Sequence, residues 1–215
     1  MLQNVSKIGM RKKILISAVI LWCLIEVIGY YLPYFIVALL WIGLILSLLT
    51  ITTIQIIKTV RERKSISRLR LLNVLTFFTL LFFTYNDWIF HQAIEKIDWK
   101  IFYNKRMKIV QEIKNKKLYQ NFNSEDTIYK LPFEFPIVSN GGNDIIIYRS
   151  NDSSSVTVLF WVYRNFFSSP STYFVYTNDP NRIMAIERSI ARNPQNNWKL
   201  NTNWYRMMPI DTDIH

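Results

Sequence analysis

Three stretches decide the fold: Ile14–Leu32 (ILISAVILWCLIEVIGYYL), Tyr34–Ile57 (YFIVALLWIGLILSLLTITTIQII) and Leu71–Phe90 (LLNVLTFFTLLFFTYNDWIF). The first carries one charge, Glu26, the second carries none, and the third carries only Asp87 near its far end. A helix rises about 1.5 Å per residue, so runs of 19, 24 and 20 residues each match a hydrocarbon core about 30 Å thick. Residues 1–92 therefore read as a membrane domain of three transmembrane helices, about 14–32, 34–57 and 71–90. From Ile97 to His215 the chain becomes polar, Asn-rich and aromatic, with strand-like alternation, and reads as a soluble domain of residues 97–215.

The charge follows the same division. Of 26 Lys and Arg residues, 10 lie in residues 1–86 against two acids, Glu26 and Glu62, which places +8 of the +11 net charge there and leaves +3 for the rest. Charge that flanks membrane spans is explained by topology and by anionic lipid, so membrane lipid, and not nucleic acid, is the partner it implies. Lys7, Arg11, Lys12 and Lys13 precede the first span, and Lys58, Arg61, Arg63, Lys64, Arg68 and Arg70 fill the link between the second and third. The turn around Pro33 is uncharged. The expectation is a cytoplasmic N-terminus and, after three spans, an extracytoplasmic C-terminal domain. Lys96, Lys100, Lys105, Arg106 and Lys108 beyond the third span oppose it, five cations against ten. The first run exceeds the h-region of about 7–15 residues of a cleaved signal, and no small-x-small site precedes Pro33, so a retained helix is expected.

The single cysteine, Cys23, falls inside the first span, which excludes a disulfide framework and a Cys-based metal site. Glu26 is costly in lipid unless paired, hydrated or protonated. A hydrogen bond to Asn73, Thr76 or Thr79 across a helix interface would settle it, and Glu26 and Asn73 are the intramembrane polar candidates. Trp88 and Trp99 fit an interfacial aromatic belt.

In the soluble half, Asp98 reads as the N-cap of a helix from Trp99 to about Lys117, with Trp99, Phe102, Ile109 and Ile113 on one stripe. Ser139–Asp144 is a turn, because adjacent glycines tolerate positive φ. Ile145–Arg149, Val156–Tyr163 and Thr172–Thr177 read as strands, and Ser150–Ser155 as the turn joining the first two. The unbroken apolar run Val158–Tyr163 suggests a central strand covered on both faces. Asp179-Pro180 caps a second helix with Ile183, Ile186 and Ile190 on its inner side, and Asn193-Pro194 ends it. The remainder reads as a tail. A small α+β domain follows, with helices on one face of an antiparallel sheet.

The sequence points away from catalysis and from bound cofactors or metals. Its two histidines are His91, beside the membrane exit, and His215, so neither a Ser-His-Asp triad nor a His-rich metal site forms. Gly141-Gly142 lacks the Lys-Ser/Thr and the helix that a phosphate-cradling loop needs. The candidate for protein recognition is the loop Arg164–Ser171. Arg164, Phe166 and Phe167 are the residue types that anchor interfaces, set between two strands. The competing reading has the phenylalanines fold back into the core.

The runs Leu131–Asp144 (LPFEFPIVSNGGND), Phe160–Thr172 (FWVYRNFFSSPST), Asn197–Leu200 (NWKL) and Asn203–Arg206 (NWYR) resemble a recurrent group of small bacterial membrane-tethered proteins of uncharacterised function. The resemblance covers about residues 97–206. It implies a bacterial cytoplasmic (inner) membrane setting and, through members that look like immunity proteins, protection from a toxin at the envelope. It implies no active-site residues. Two function classes follow: a non-catalytic membrane-tethered protein-binding module, or an accessory subunit that joins a larger membrane complex through its spans. Gly43, Ser47 and Thr50 form a loose small-residue stripe suited to the second.

Overall fold

The computed structural model describes residues 2–32, 34–63, 65–115, 127–132, 137–140, 142–149, 155–164 and 171–208. The chain divides into two compact units, Met1–Tyr30 with Phe35–Ile94, and Tyr31–Tyr34 with Glu95–His215.

The first unit is helical. Helices α1 (Leu2–Tyr31), α2 (Tyr34–Arg61) and α3 (Arg68–Tyr85) contain the segments Lys12–Tyr31, Phe35–Arg61 and Arg68–Tyr85, each long and apolar enough to cross a membrane. The chain is a membrane protein. Its helices keep a thin internal seam of Leu15, Trp22, Leu48, Phe77 and Leu80 and turn most other large apolar side chains outward, the inverse of a water-soluble bundle. At one end of α3, Ser67 caps the helix by accepting from the Arg70 amide, and Arg70 binds Glu62 through two hydrogen bonds of 2.7 and 3.0 Å and Gln55 at 3.0 Å. At the other, α3 stops sooner than the apolar run to Phe90 suggests. Asn86 closes it, its backbone N–H and side-chain Nδ2 both donating to the Phe82 carbonyl, and α4 (Trp88–Lys114) starts two residues later. Hydrophobicity continued through a break made by two turn-forming residues, Asn86 and Asp87.

The second unit contains most of α4, from Glu95 onward, then β1 (Thr127–Lys130), β2 (Asp144–Arg149), β3 (Val156–Tyr163), β4 (Thr172–Thr177), α5 (Pro180–Arg192), β5 (Trp198–Asn201) and β6 (Trp204–Met207). The strands form one antiparallel sheet in the order β1-β2-β3-β4-β6-β5. Residues directly opposite in neighbouring strands share a face, so the register divides the sheet cleanly. Ile145, Phe160, Phe174, Arg206 and Trp198 form a row on one face, and Ile146, Leu159, Val175, Tyr205 and Lys199 form a row on the other.

Each face takes one helix. Trp99 of α4 packs on Phe174 and Trp204 at 5.0 and 5.1 Å between ring centroids, with Tyr103 at 6.2 Å from Trp204. Ile186 of α5 joins Leu159, Val175, Tyr205 and Met207 on the opposite side, with Ile190 against them. The expectation of helices on one face only is thus corrected. Strand β3, buried from Val156 to Val162, needs a cover on both sides, and the two helices provide it.

Three further expectations are corrected. Asp98 is not an N-cap: α4 starts at Trp88, and Asp98 lies buried inside it. Trp99 is not part of an aromatic belt, because its ring belongs to the core beneath α4. The segment read as a tail forms the hairpin β5–β6, folded through Asn203 at φ 62° and an Asn201 side chain that accepts from the Thr202 amide. The α5 reading holds: Asp179 accepts from the Asn181 amide at 2.9 Å, Pro180 opens the helix and Asn193 closes it.

Candidate functional site

At the end of β3 the chain is held by Ser139, Asn140 and Asn143, polar residues whose side chains are spent on backbone. Ser139 donates to the Asp144 carbonyl and accepts from the Trp161 amide at 2.9 Å. Asn140 takes the Trp161 carbonyl with its N–H at 2.8 Å and the Val162 carbonyl with Nδ2 at 2.6 Å. Asn143, at φ 64°, accepts from the Val138 amide and donates to the Pro132 carbonyl, while Gly142 beside it sits at φ 106°. Positive φ at two successive positions is the reason the sequence reads Gly-Asn there. Ser139, Asn140 and Asn143 are all buried. The segment read as a turn is a polar staple between β2 and the last residues of β3.

The staple sets the position of Arg164. Across a register shift between Trp161 and Tyr163, β3 pairs with β4 as far as Tyr163 opposite Thr172, and the chain leaves the sheet at Arg164. The Arg164 guanidinium lies 2.7 Å from Asp144 Oδ2 and 4.6 Å from the centroid of the Trp161 ring. Trp161 is itself buried against Tyr173 on the α5 side. A charge-assisted hydrogen bond and a cation–π contact therefore fix the root of the loop. Phe166 and Phe167 lie outside the described residues.

Glu26 is 7% exposed, and its Oε1 receives no hydrogen bond among the described residues; nor does the Oδ1 of Asn73. The expected bond between them does not form. On the same side of α1, one turn either way from Glu26, Trp22 donates to Thr84 Oγ1 at 2.7 Å and Tyr30 stacks edge-on with His91 at 6.4 Å. Asp87, within electrostatic reach of Glu26, has His91 Nδ1 at 4.0 Å. The structure thus sets Glu26 opposite the break between α3 and α4, and Asn73 apart from it.

The charged cluster that sequence reasoning missed lies beneath α4. Arg106, counted there as a juxtamembrane cation, is 2% exposed and bonded to Asp98 Oδ2 at 2.5 Å. Its Nε donates to the Val138 carbonyl at 2.9 Å, its Nη1 to the Asp98 carbonyl at 3.2 Å, and its guanidinium lies 4.7 Å over Phe174. Tyr31 donates to the other Asp98 oxygen at 3.0 Å. Burial pushes the Asp98 carboxyl above its ordinary value, while the charge and hydrogen bond of Arg106 and the bond from Tyr31 pull it back. Arg206 makes a second pair with Glu95, 2.9 Å, capped by Trp198 at 4.6 Å and the Asn196 carbonyl at 2.5 Å. A signal existed: Arg106 falls on the helical stripe with Trp99, Phe102, Ile109 and Ile113, where a cation needs a buried partner.

Fold and anchor points together define a class: a membrane protein with three span-length helices and a domain whose antiparallel sheet lies between two helices. No protein-family model, no curated protein and no solved structure matches the chain.

Proposed function

We propose that this chain is a non-catalytic, membrane-tethered protein-binding module of the bacterial cytoplasmic (inner) membrane. Its N-terminus is cytoplasmic, and its extracytoplasmic domain captures a protein through the loop that leaves β3 at Arg164. In the immunity setting that protein is a toxin arriving at the envelope. The reading rests above all on the built root of the loop: Asp144 and Trp161 hold Arg164, and the buried staple of Ser139, Asn140 and Asn143 holds the strand beneath it. Fixing a loop at its base lowers the ordering cost of binding, and two adjacent phenylalanines beyond that base supply apolar anchors. Arg164 acts in this reading as a positioning residue, and Phe166 and Phe167 make the contacts.

The test replaces Phe166 and Phe167 with Ser in cells challenged with the toxin encoded beside the protein. Protection should be lost while membrane level and thermal unfolding of the purified chain stay unchanged. Unfolding of the double variant would assign the phenylalanines to the core and remove the reading.

One observation favours a second reading, an accessory subunit joined to a larger membrane complex. Gly43, Ser47 and Thr50 all lie on exposed surface of α2, and a Cβ added at Gly43 would meet nothing within 4 Å. Small residues allow close helix approach. Full protection by a stable, membrane-located loop variant would favour this reading over the first.

A further inference from the structure

Helix α4 has two faces of opposite character within the second unit. Ile109, Val110 and Ile113 are buried, and Trp99 and Arg106 engage Phe174. On the other side Lys96, Ile97, Lys100, Ile101 and Asn104 are all exposed, with Ile97 57% and Ile101 63% uncovered. At about 100° per residue the two isoleucines stand about 40° apart, and Lys100 and Lys96 both lie on the side of Ile97 away from Ile101, at about 60° and 100°. The arc from Lys96 round to Ile101 contains no carboxylate. Glu95 and Asp98 point into the core, where Arg206 and Arg106 hold them, and Glu112 lies beyond the arc with Lys108 at 3.9 Å. Two bare isoleucines beside two ammonium groups that no carboxylate opposes among the described residues form a surface that water satisfies on only one flank.

Charge decides between occupants. A second copy of this chain would bring the same lysines and be repelled. An anionic lipid surface offers an apolar boundary for the isoleucines and phosphates for the lysines, the pairing that interfacial helices use. Chain continuity points the same way. The third candidate span ends at Tyr85, and Ile97 is nine residues, about 14 Å of helix, from Trp88 at the start of α4. We propose that the face of α4 carrying Lys96, Ile97, Lys100 and Ile101 is a docking site for anionic lipid. The isoleucines enter the interfacial layer and the lysines bind headgroup phosphates. This goes beyond the loop reading and does not depend on it.

The test uses the full chain with Cys23→Ser and a polarity-sensitive fluorophore on Asn104→Cys, reconstituted into vesicles that carry a quencher-bearing lipid. Phosphatidylglycerol-containing vesicles should quench the probe strongly, and pure phosphatidylcholine vesicles weakly. Lys96→Gln and Lys100→Gln should each lower the docked-to-undocked ratio about fivefold at low salt, and Ile97→Ser with Ile101→Ser should abolish docking. The proposal is overturned by an unquenched probe in both lipids. It is equally overturned by equal quenching of a probe on Arg188→Cys, or by a signal that depends on protein density and so reports contact between copies. Because the readout involves neither Phe166 nor Phe167, its failure is distinguishable from failure of the loop reading.

Discussion

Arg106 and Asp98 carry opposite charges into a core in which water cannot reach either. Removing one partner strands the other, whereas replacing both by apolar groups removes the desolvation burden together with the attraction. Arg106→Met should therefore destabilise the second unit by about 3–5 kcal/mol, and Asp98→Leu combined with Arg106→Met should be closer to the parent chain than Arg106→Met alone. Thermal unfolding of the four proteins, followed by circular dichroism in detergent, gives the coupling. Strictly additive losses would mean that the pair contributes no mutual stabilisation. The same residues show where the sequence becomes hard to read. The sequence reading counted Arg106 as a juxtamembrane cation, although its spacing falls on the inner stripe. What makes an arginine acceptable there is the Asp98 carboxylate with the carbonyls of Val138 and Asp98 and the ring of Phe174, two of these groups supplied by residues distant in sequence.

At the scale of elements, legibility followed length and local chemistry. The spans, β3, β4 and α5 were readable from their own residues, because long apolar runs, β-branched alternation and an Asp-Pro cap are local signals. The four-residue strands β1, β5 and β6 were not, since short strands gain their pairing from neighbours remote in sequence. Ser139–Asp144 was legible as a turn but not as a fastener, and Asn143 separates those roles. Asn143→Gly keeps the positive φ yet loses the side-chain bonds to Val138 and Pro132, an expected cost of about 2–3 kcal/mol. Asn143→Ala loses the same bonds and adds about 1–2 kcal/mol of left-handed strain. Equal unfolding midpoints for the two variants would show that the backbone conformation at this residue contributes nothing. The candidate site was legible only as residue types: nothing local to Arg164 announces that Asp144, twenty positions earlier, holds it.

For the whole molecule the proposed orientation rests on flanking charge, ten cations against five. In a Cys23→Ser background, a cysteine at Ser65 in the α2–α3 link should resist a membrane-impermeant thiol reagent in intact cells. A cysteine at Arg188 on the exposed side of α5 should react. The opposite pattern would place the domain in the cytoplasm and remove an envelope toxin as its partner.

The strand order carries a consequence in time. From β1 to β4 each new strand lies down beside the one just made, so this part of the sheet can zip as the chain emerges. The far side of β4 must then wait through the whole of α5 and the outermost strand β5 for β6 to arrive. Until Trp204–Met207 leave the ribosome, one flank of Phe174 and Val175 has no backbone partner, and Trp204 has not yet filled its place beneath α4. The span-length helices are thus made first and the sheet is finished last, and the β4 edge, the kind of edge that pairs with other chains, stays open for as long as α5 and β5 take to be made.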